Sequence, residues 1–479
     1  MNESETSTLR VDSVEPTIEL QVQTETSTNH SYLTRSKERQ KEHQLHEQTL
    51  EKQRKHNVVV HPRLKPVPFK KLDLKIVQSN QLSKTEVLSS KGIRFYQIED
   101  HPVNKRGFKY KSCRPNPVFT SNLYSTTELP PFLIRPSFFD RSQGVLFSDD
   151  LALVSTVQGW RSTRTNIGIR QGKYYFEFNI INSNEDSSKS HVRIGLARKE
   201  ASLEAPVGFD GYSYGLRDVH GELMNLSRPH EEYITLGFKS GDTIGFLVDL
   251  PTLDEHRQHV DACIQAKIKS KPIHKEESPK KKKKIKKGGY ISDNSDFYKH
   301  DNIARDQIPI KYKNSLYYEQ YEYTNTKTME HLLNPVTIFG EKAVLEKDHD
   351  TEKVKNLPVI PNSKITIFKN GVQQEHTIEN LYSFLPTNID DEECNLSYNT
   401  RQQQNPNYRN TDDGSLGYYP MLSVFQGGIV GLNAGPEFKY PPKDTDAKPL
   451  NDRFNELVVE EWYWDLIDEV EAEYLDSFE

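Results

Sequence analysis

The residues best suited to metal chemistry are four histidines in the N-terminal part of the chain: His43, His46, His56 and His61. No cysteine or carboxylate completes them at ligand spacing, so the sequence does not predict a metal site. The glycine-rich run at 427–431 lacks the Lys-Ser/Thr pair of a phosphate-binding loop and lies among strand-forming residues. We find no nucleophile, cofactor fingerprint or methyl-donor motif. We therefore predict no catalytic residue, no cofactor and no enzymatic activity.

Other side chains are suited to recognition instead. The stretch 205–217 (APVGFDGYSYGLR) is dense in aromatic residues and glycines. A loop of this kind on a rigid scaffold usually binds a partner. Nearby, Arg193 lies out of phase with Val192, Ile194 and Leu196, so on a strand its side chain should face away from the core.

The elements around this loop are predicted to be antiparallel strands. Residues 172–178, 191–196 and 241–250 alternate apolar and polar side chains with a period of two. Strand patterns return at 365–373, where Asn370-Gly371 is a strong hairpin signal, and again at 418–425 and 428–435. The sequence therefore predicts an all-β fold, a single antiparallel β-sandwich interrupted by a long, mostly disordered insertion, with a C-terminal amphipathic helix.

The bulk composition agrees with one core and long solvated segments. Of 479 residues, 34% are hydrophobic and 28% are charged, and the mean hydropathy is -0.78. The three scattered cysteines favour a reducing compartment over a disulfide framework. We see no signal run and no membrane-length apolar stretch, so we expect a soluble intracellular protein.

Charge is segregated along the chain, although the net charge is only -6. Residues 31–75 carry 12 Lys/Arg against 5 Asp/Glu, whereas residues 450–479 carry one Arg against 11 Asp/Glu. A tract at 280–287 is almost pure lysine. Such segregation indicates several partners rather than one substrate.

These patterns divide the chain into eight predicted segments. They are a disordered N-terminus (1–34), a basic arm (35–91), an irregular strap packed on the sandwich (92–144), the first sandwich half (145–251), a lysine-rich insertion with a possible short strand at 336–339 (252–362), the second half (363–442), a linker (443–455) and a partner-docking helix (456–479). In that helix Val459, Tyr463, Leu466 and Val470 share one face, which Trp462 widens.

Four segments together resemble a SPRY domain: 172–177 (GKYYFE), 205–209 (APVGF), 368–371 (FKNG) and 420–423 (PMLS). The run 432–444 (LNAGPEFKYPPKD) is similar to the sandwich end of one subfamily. That subfamily is the SPRY subunit of COMPASS-type histone H3 lysine-4 methyltransferase complexes, Bre-type in fungi and Ash-type in animals. The resemblance covers roughly 92–251 and 363 to the C-terminus. No Cys/His cluster like the zinc-finger region of animal members is seen, so the chain looks like the shorter fungal form.

The resemblance implies a non-catalytic nuclear scaffold acting in histone methylation, transcription regulation and telomeric silencing. In that family the SPRY surface holds an acidic, aromatic-bearing linker of a WD-repeat subunit. The matching positions here are Trp160, Arg193, Pro206, Phe209 and Arg217. Animal members have tyrosines where Trp160 and Phe209 stand, which would shift recognition toward charge and stacking. The alternative is that both arginines are ordinary surface charges.

The resemblance also implies that the terminal helix docks on a small dimeric helical subunit and that a SET-domain catalytic subunit is a further partner. An amphipathic helix packed on its own domain is the alternative. The basic arm could contact nucleosomal DNA through Arg54, Lys55, Arg63, Lys65, Lys70 and Lys71. For the lysine tract, nuclear import is favoured over a DNA contact or simple solvation.

Two other functions remain open at this point. A SPRY adaptor that selects substrates for a ubiquitin ligase would need a RING, SOCS-box or LisH-type region, which we do not see. A stand-alone DNA-binding protein would act through the basic arm alone and would bind a specific sequence at physiological salt.

Overall fold

The computed structural model describes residues 84–99, 110–112, 114–115, 124–125, 133–186, 188–270, 309–312, 315–319, 357–385, 414–443 and 445–476. All of them lie in one compact unit, Val60–Glu479. The predicted disordered N-terminus, most of the basic arm, the lysine tract and the possible strand at 336–339 lie outside these residues.

The strands are β1 (Lys84–Ser90), β2 (Ile93–Ile98), β3 (Tyr110–Ser112), β4 (Arg114–Pro115), β5 (Tyr124–Ser125), β6 (Pro136–Arg141), β7 (Leu146–Ser148), β8 (Leu153–Ser155), β9 (Arg161–Thr165), β10 (Gly172–Asn182), β11 (His191–Ala197), β12 (Ser213–Arg217), β13 (Glu222–Asn225), β14 (Arg228–Glu232), β15 (Thr243–Leu250), β16 (Pro309–Tyr312), β17 (Ser315–Glu319), β18 (Lys364–Lys369), β19 (Val372–Glu379), β20 (Tyr419–Phe425), β21 (Ile429–Asn433) and β22 (Lys448–Pro449). The helices described are α1 (Leu253–Ser270) and α2 (Asp452–Asp476).

Two sheets face each other across one core. The ten-stranded sheet has the order β1-β2-β7-β8-β21-β10-β15-β18-β19, with β22 pairing in parallel with β10. The seven-stranded sheet has the order β14-β13-β12-β11-β20-β9-β6. Apart from that short parallel contact, the pairings in both sheets are antiparallel, so each strand can bury one face and leave the other free.

Aromatic side chains of the ten-stranded sheet form the centre of this core. Phe176, Phe178 and Phe246 are fully buried, and the rings of Phe176 and Phe246 stack with their centroids 5.6 Å apart. Val192 and Ile194 reach the same cluster from the opposite sheet. Burying each of these side chains contributes about 1.5–3 kcal/mol, which makes the two-layer arrangement stable.

The two halves of the chain interleave within both sheets. In one sheet β10 pairs with β15 on one side and with β21 on the other. In the other sheet β11 pairs with β12 and with β20. The prediction of one all-β sandwich split by an insertion and followed by a C-terminal helix is therefore confirmed.

The hairpin signal at Asn370-Gly371 has the expected geometry. Both residues have positive φ, 51° and 81°, and they join β18 to β19 in antiparallel pairing. A two-residue loop with positive φ at both positions matches the twist of the flanking strands, which is why Asn-Gly occupies it.

The N-terminal boundaries differ from the prediction. β1 and β2 form a hairpin across the predicted border at residue 91, and β2 pairs with β7 at the edge of the ten-stranded sheet. The predicted strap also contributes β6 to the seven-stranded sheet. Phe95, Tyr96 and Ile98 are buried there, so this stretch belongs to the sandwich instead of lying over it. The sequence did not predict this placement, because the apolar run of this stretch is short and no helical or alternating pattern extends beyond it.

The insertion and the linker also contain ordered elements that were not predicted from the sequence. The insertion begins with α1, which buries His256 and Val260, and the described strand β17 pairs with β16 on one side and with β3 on the other. A capping box opens α1, because Thr252 N donates to Glu255 Oε2 at 3.1 Å and Glu255 N donates to Thr252 Oγ1 at 3.3 Å. The predicted linker contains β22, and α2 begins at Asp452 instead of residue 456 because Phe454 is anchored in the core.

Candidate functional site

The outer face of the seven-stranded sheet carries two arginines side by side. Val192 and Ile194 of β11 are fully buried, so the period of two directs Arg193 outward. Arg217 of β12 stands directly opposite Arg193 in the antiparallel register. Residues directly opposite each other have Cβ atoms about 4.5–5.5 Å apart, so the sheet holds two cations together at this point.

Glycines allow β12 and the neighbouring loop to approach this face closely. A Cβ on Gly195 would stand 1.9 Å from the Tyr214 carbonyl oxygen, and one on Gly215 would stand 2.3 Å from the Val207 carbonyl oxygen. The loop is then fastened to the sheet, because Val207 N donates to Ser423 Oγ at 2.9 Å. The 205–209 loop therefore forms a fixed wall beside the two arginines.

The guanidinium of Arg193 is enclosed, and no carboxylate in the described part of the chain forms an ion pair with it. Its Nη1 donates to the Val207 carbonyl oxygen at 3.4 Å, and its Cζ lies 5.2 Å from the ring centroid of Trp160. Its Nε is buried and has no hydrogen-bond partner among the described residues. Burial, and then the charge of Arg217, lower the pKa of Arg193 from 12.5 to about 10. The site therefore holds a cation that a carboxylate would stabilise.

Aromatic rings continue the wall beyond Trp160. The rings of Trp160 and Phe425 have centroids 5.3 Å apart, and those of Phe425 and His191 are 6.3 Å apart. Phe425 and His191 were not among the predicted site residues. Their place in the site follows only from the strand pairing, because His191 and Phe425 are opposite each other in the β11–β20 register.

The nearby acidic residues are already engaged within the chain. Asp218 is buried, and its Oδ2 accepts hydrogen bonds from Ser183 Oγ at 2.6 Å and Val192 N at 3.2 Å, and lies 2.9 Å from His191 Nδ1. Arg217 reaches Glu222 at 3.4 Å, but its side chain is 43% exposed. The pocket therefore keeps a positive character at its open side.

The other two predicted residues lie on the loop. Pro206 and Phe209 are both half-buried and close one turn, in which Phe209 N donates to the Pro206 carbonyl oxygen at 3.0 Å. Ser227 Oγ donates to the Phe209 carbonyl oxygen at 2.8 Å and fixes the end of the turn. The structure thus brings Arg193 against Trp160, sets Arg217 opposite Arg193 in the register, and places the Pro206–Phe209 turn beside them through Val207.

The apolar face of α2 is open to solvent. Val459, Tyr463, Leu466 and Val470 are 63%, 56%, 38% and 58% exposed. The first turns are fastened to the sandwich, because Phe454 is buried and Glu456 accepts a hydrogen bond from the Tyr174 hydroxyl of β10. The Trp462 side chain lies outside the described set. The predicted stripe is therefore presented by a helix anchored at one end.

The predicted DNA-contacting residues, Arg54, Lys55, Arg63, Lys65, Lys70 and Lys71, lie outside the described residues. Within the described ranges, no group of three or more His, Cys, Asp or Glu residues could hold a metal ion. Over the same ranges no helix is long and apolar enough to cross a membrane.

Comparison with known proteins agrees with this architecture. The family model described as "SPRY domain" matches residues 173–253. COMPASS component cclA of Colletotrichum higginsianum is 33% identical over 424 residues, covering 79% of this chain and 69% of that protein. Set1 complex component ash2 of Schizosaccharomyces pombe is 33% identical over 414 residues, covering 85% and 52%. COMPASS component BRE2 of Saccharomyces cerevisiae is 27% identical over 472 residues, covering 79% and 89%.

The resemblance inferred from the sequence is therefore confirmed, and with it the connection to histone methylation. A sandwich of two interleaved halves, a SPRY match and relatives that align over most of the chain all lead to the same assignment. The chain belongs to the family of SPRY-domain COMPASS and Set1 complex components.

Proposed function

We propose that this chain is a non-catalytic subunit of a nuclear complex that methylates lysine 4 of histone H3. Its SPRY sandwich binds an acidic segment of a WD-repeat subunit and so helps to hold the SET-domain catalytic subunit in an active arrangement. The names of the relatives support membership in such a complex. A scaffold role also suits a chain whose distinctive surfaces are a cationic pocket and an exposed helix.

The observation that supports the pocket assignment is the guanidinium of Arg193, which is enclosed opposite Arg217 and whose buried Nε has no hydrogen-bond partner among the residues that the structure describes. A carboxylate of the partner would accept charge-assisted hydrogen bonds from the Arg193 guanidinium and offset the repulsion between the two cations. Trp160 and Phe425 offer flat apolar area to a ring next to that carboxylate. The pocket therefore fits an acidic peptide that also carries an aromatic residue.

The test is Arg193→Glu with Arg217→Glu in the full chain, followed by capture of the WD-repeat subunit from the reconstituted complex. We expect capture to be lost and histone H3 lysine-4 methylation by the complex to fall, with little change in thermal stability. Arg94→Glu is the matched control, because Arg94 is 65% exposed on the other sheet. Undiminished capture by the double variant would remove the pocket assignment.

The exposed stripe of α2 supports a second contact, with the small dimeric helical subunit. Four large apolar side chains in water are unfavourable, and burying each one fully contributes about 1.5–3 kcal/mol. A groove between two helices is the geometry that buries such a stripe. The anchored first turns hold the stripe in a fixed direction, which lowers the entropy lost on docking.

The test of the helix is Val459→Glu with Leu466→Glu, with Asn455→Glu on an exposed position of the same helix as control. We expect only the small helical subunit to dissociate, while the melting temperature of the sandwich stays unchanged. If the double variant instead melts several degrees lower, the stripe packs on its own domain.

The basic arm is proposed to contact nucleosomal DNA. The contacts would come from Arg54, Lys55, Arg63, Lys65, Lys70 and Lys71. Phosphate contacts release counterions, so nucleosome affinity should fall steeply with salt, and replacing these six residues with glutamine should flatten that slope. A DNA affinity that depends on sequence and persists at physiological salt would favour a stand-alone DNA-binding protein.

A further inference from the structure

A second depression lies next to the cationic pocket and has the opposite electrostatic character. It is a cleft of about 710 Å³ in the described part of the molecule. Its walls come from the end of β2, the connection between β6 and β7, the start of β9 and the loop before Pro206. The lining residues are Gln97, Ile98, Glu99, Gln143, Gly144, Gln158, Arg161 and Glu204.

The cleft and the pocket are built on the same two segments of chain. Trp160 faces the pocket, whereas the next residue, Arg161, lines the cleft. Glu204 lines the cleft two residues before Pro206. These two segments are joined, because Ser162 N donates to the Leu203 carbonyl oxygen at 3.1 Å and Ser162 Oγ to the Ala205 carbonyl oxygen at 2.8 Å. The pocket and the cleft therefore share two segments of chain that are fastened to each other.

The charges in the cleft favour a cation. Glu99 and Glu204 supply two carboxylates against the single guanidinium of Arg161. Arg161 is turned toward its own chain, since its Nε donates to Gln158 Oε1 at 3.1 Å and its Nη1 donates to the Trp160 carbonyl oxygen at 2.8 Å. The Glu204 side chain is 66% exposed and its Oε2 lies 3.7 Å from Arg161 Nε, so Arg161 shares this carboxylate. Glu99 is exposed and forms no ion pair among the described residues, so its charge is the one left for a ligand.

The remaining lining suits an extended peptide backbone. Gln97 Nε2 donates to the Gln143 carbonyl oxygen at 2.9 Å and Gln158 Oε1 accepts from Arg161, which leaves the Gln97 oxygen as an acceptor and the Gln158 nitrogen as a donor. With the Gln143 amide, the lining still offers both donors and acceptors, which is what successive peptide groups require. Gly144 keeps the floor low, because a Cβ there would stand 2.7 Å from Gln158 Oε1 and 2.9 Å from Arg161 Nε. The cleft thus has the shape and the polarity of a peptide subsite.

We propose that the cleft is a second subsite of the peptide groove and binds a lysine or arginine that flanks the acidic segment of the same partner. This inference depends on the proposed function of the pocket. A groove that is cationic at one end and anionic at the other fixes the direction of the bound peptide, because the reversed peptide would bring like charges together. The cleft is therefore a specificity element as well as an additional contact.

The experiment uses synthetic peptides that share one acidic, aromatic core and differ in a short flank on either end. The flank carries lysine, glutamine or glutamate, and binding to the full-length chain is measured by fluorescence anisotropy at low and at physiological salt. We expect the lysine flank on one end only to tighten binding about threefold to tenfold over the glutamine flank. The glutamate flank on that end should weaken it.

Variants of the chain locate the effect. Glu99→Gln with Glu204→Gln should abolish the advantage of the lysine flank and leave binding of the glutamine-flanked peptide unchanged. Glu231→Gln with Glu375→Gln changes two exposed carboxylates elsewhere and should preserve the advantage. Both pairs remove exposed charges, so folding is not expected to suffer, and thermal melts verify this.

The outcomes separate the cleft from the pocket. If the core peptides bind in an Arg193-dependent manner but the three flanks give equal affinities on both ends, the cleft proposal is wrong and the pocket assignment stands. If the lysine advantage survives in the Glu99/Glu204 variant, the cation binds elsewhere, and the cleft proposal is also wrong. If no core peptide binds, the pocket function and the subsite that depends on it are both refuted.

Discussion

Arg193→Met should stabilise the free protein while it weakens partner binding. The folded protein lowers the pKa of Arg193 from 12.5 to about 10, chiefly by burial. One pKa unit corresponds to about 1.36 kcal/mol, so the charged side chain is roughly 3 kcal/mol less favourable in the folded state than in the unfolded state. A methionine of similar length would remove that cost.

Part of this gain is offset by lost contacts. The stacking of the guanidinium on Trp160 contributes about 1 kcal/mol, and the long hydrogen bond to the Val207 carbonyl oxygen contributes about 0.5 kcal/mol. The net stabilisation should be about 1–2 kcal/mol. For a domain of this size that is a rise in melting temperature of about 2–8 °C. Affinity for the acidic partner should fall at least about tenfold, because a charge-assisted hydrogen bond is lost.

The assay combines thermal and denaturant melts of the full chain with binding of the partner subunit. Arg94→Met, on an exposed position of the other sheet, should change neither quantity. The two effects of Arg193→Met should have opposite signs, because the free energy of unfolding rises while the affinity for the partner falls. If Arg193→Met lowers stability by more than about 1 kcal/mol, Arg193 is a structural residue and the functional reading of its enclosed charge is refuted.

Three further perturbations test the packing that supports the site. Burial, with smaller effects of neighbouring cations, lowers the pKa of His256 to about 3, below its unfolded value near 6.5. The neutral, buried imidazole therefore contributes fully to the free energy of unfolding above pH 6.5, and this contribution is lost as the pH falls toward 3. Denaturant melts of His256→Gln should therefore show roughly 3 kcal/mol less loss between pH 6.5 and 4 than the parent chain, and an equal loss would contradict the assignment. Arg164→Met removes the bidentate partner of the Asp140 carboxylate at 2.9 Å and the donor to the Arg198 and Ala201 carbonyl oxygens, while Lys199 stays 2.8 Å from that carboxylate. The cost should be about 3 kcal/mol in urea melts, and a cost below about 1 kcal/mol would contradict this. Gly195→Ala forces a Cβ to 1.9 Å from the Tyr214 carbonyl oxygen, so soluble yield should fall sharply and surviving protein should not bind the acidic peptide, whereas normal yield and binding would show that β12 can move aside.

The sequence could predict which residues face the core, because the alternation of apolar and polar side chains shows which side of a strand each residue occupies. The residues of β10 and β11 that enter the main core follow the period of two: Tyr174, Phe176, Phe178 and Ile180 on β10, and Val192, Ile194 and Leu196 on β11. The Asn370-Gly371 turn also forms as expected. The spacing in α2 likewise gave the exposed stripe, because helical periodicity is local information.

The alternation pattern shows which side chains face outward, but it does not show whether another segment of the chain covers that outward face. Glu177 lies on the outward phase of β10 yet is fully buried, because Lys439 N and Tyr440 N donate to its carboxylate at 2.9 and 2.7 Å. Arg164 is covered in the same way by the carbonyl oxygens of Arg198 and Ala201. Such residues look like solvated charges in the sequence, and only the long-range packing distinguishes them.

The remaining differences concern pairing over long distances. The sequence gives no register between β11 and β20, so His191 and Phe425 could not be joined to the pocket beforehand. α1 was missed although Thr252 and Glu255 show a capping box, because the helix has little apolar periodicity. The short strand β2 was missed because its partner β7 lies about fifty residues further along the chain. β1 pairs with β2 and was missed because it is largely exposed and none of its residues is fully buried.

The interleaving of strands from the two halves has a consequence for biosynthesis. β10 and β11 leave the ribosome with open edges whose partners β21 and β20 begin only at Ile429 and Tyr419, about 170 residues after β15 ends at Leu250. At a synthesis rate of about 5–20 residues per second, these edges stay unpaired for on the order of ten to thirty seconds. Nascent chains are therefore expected to need chaperone protection during that interval, and a chain truncated before Tyr419 should aggregate instead of forming half a sandwich.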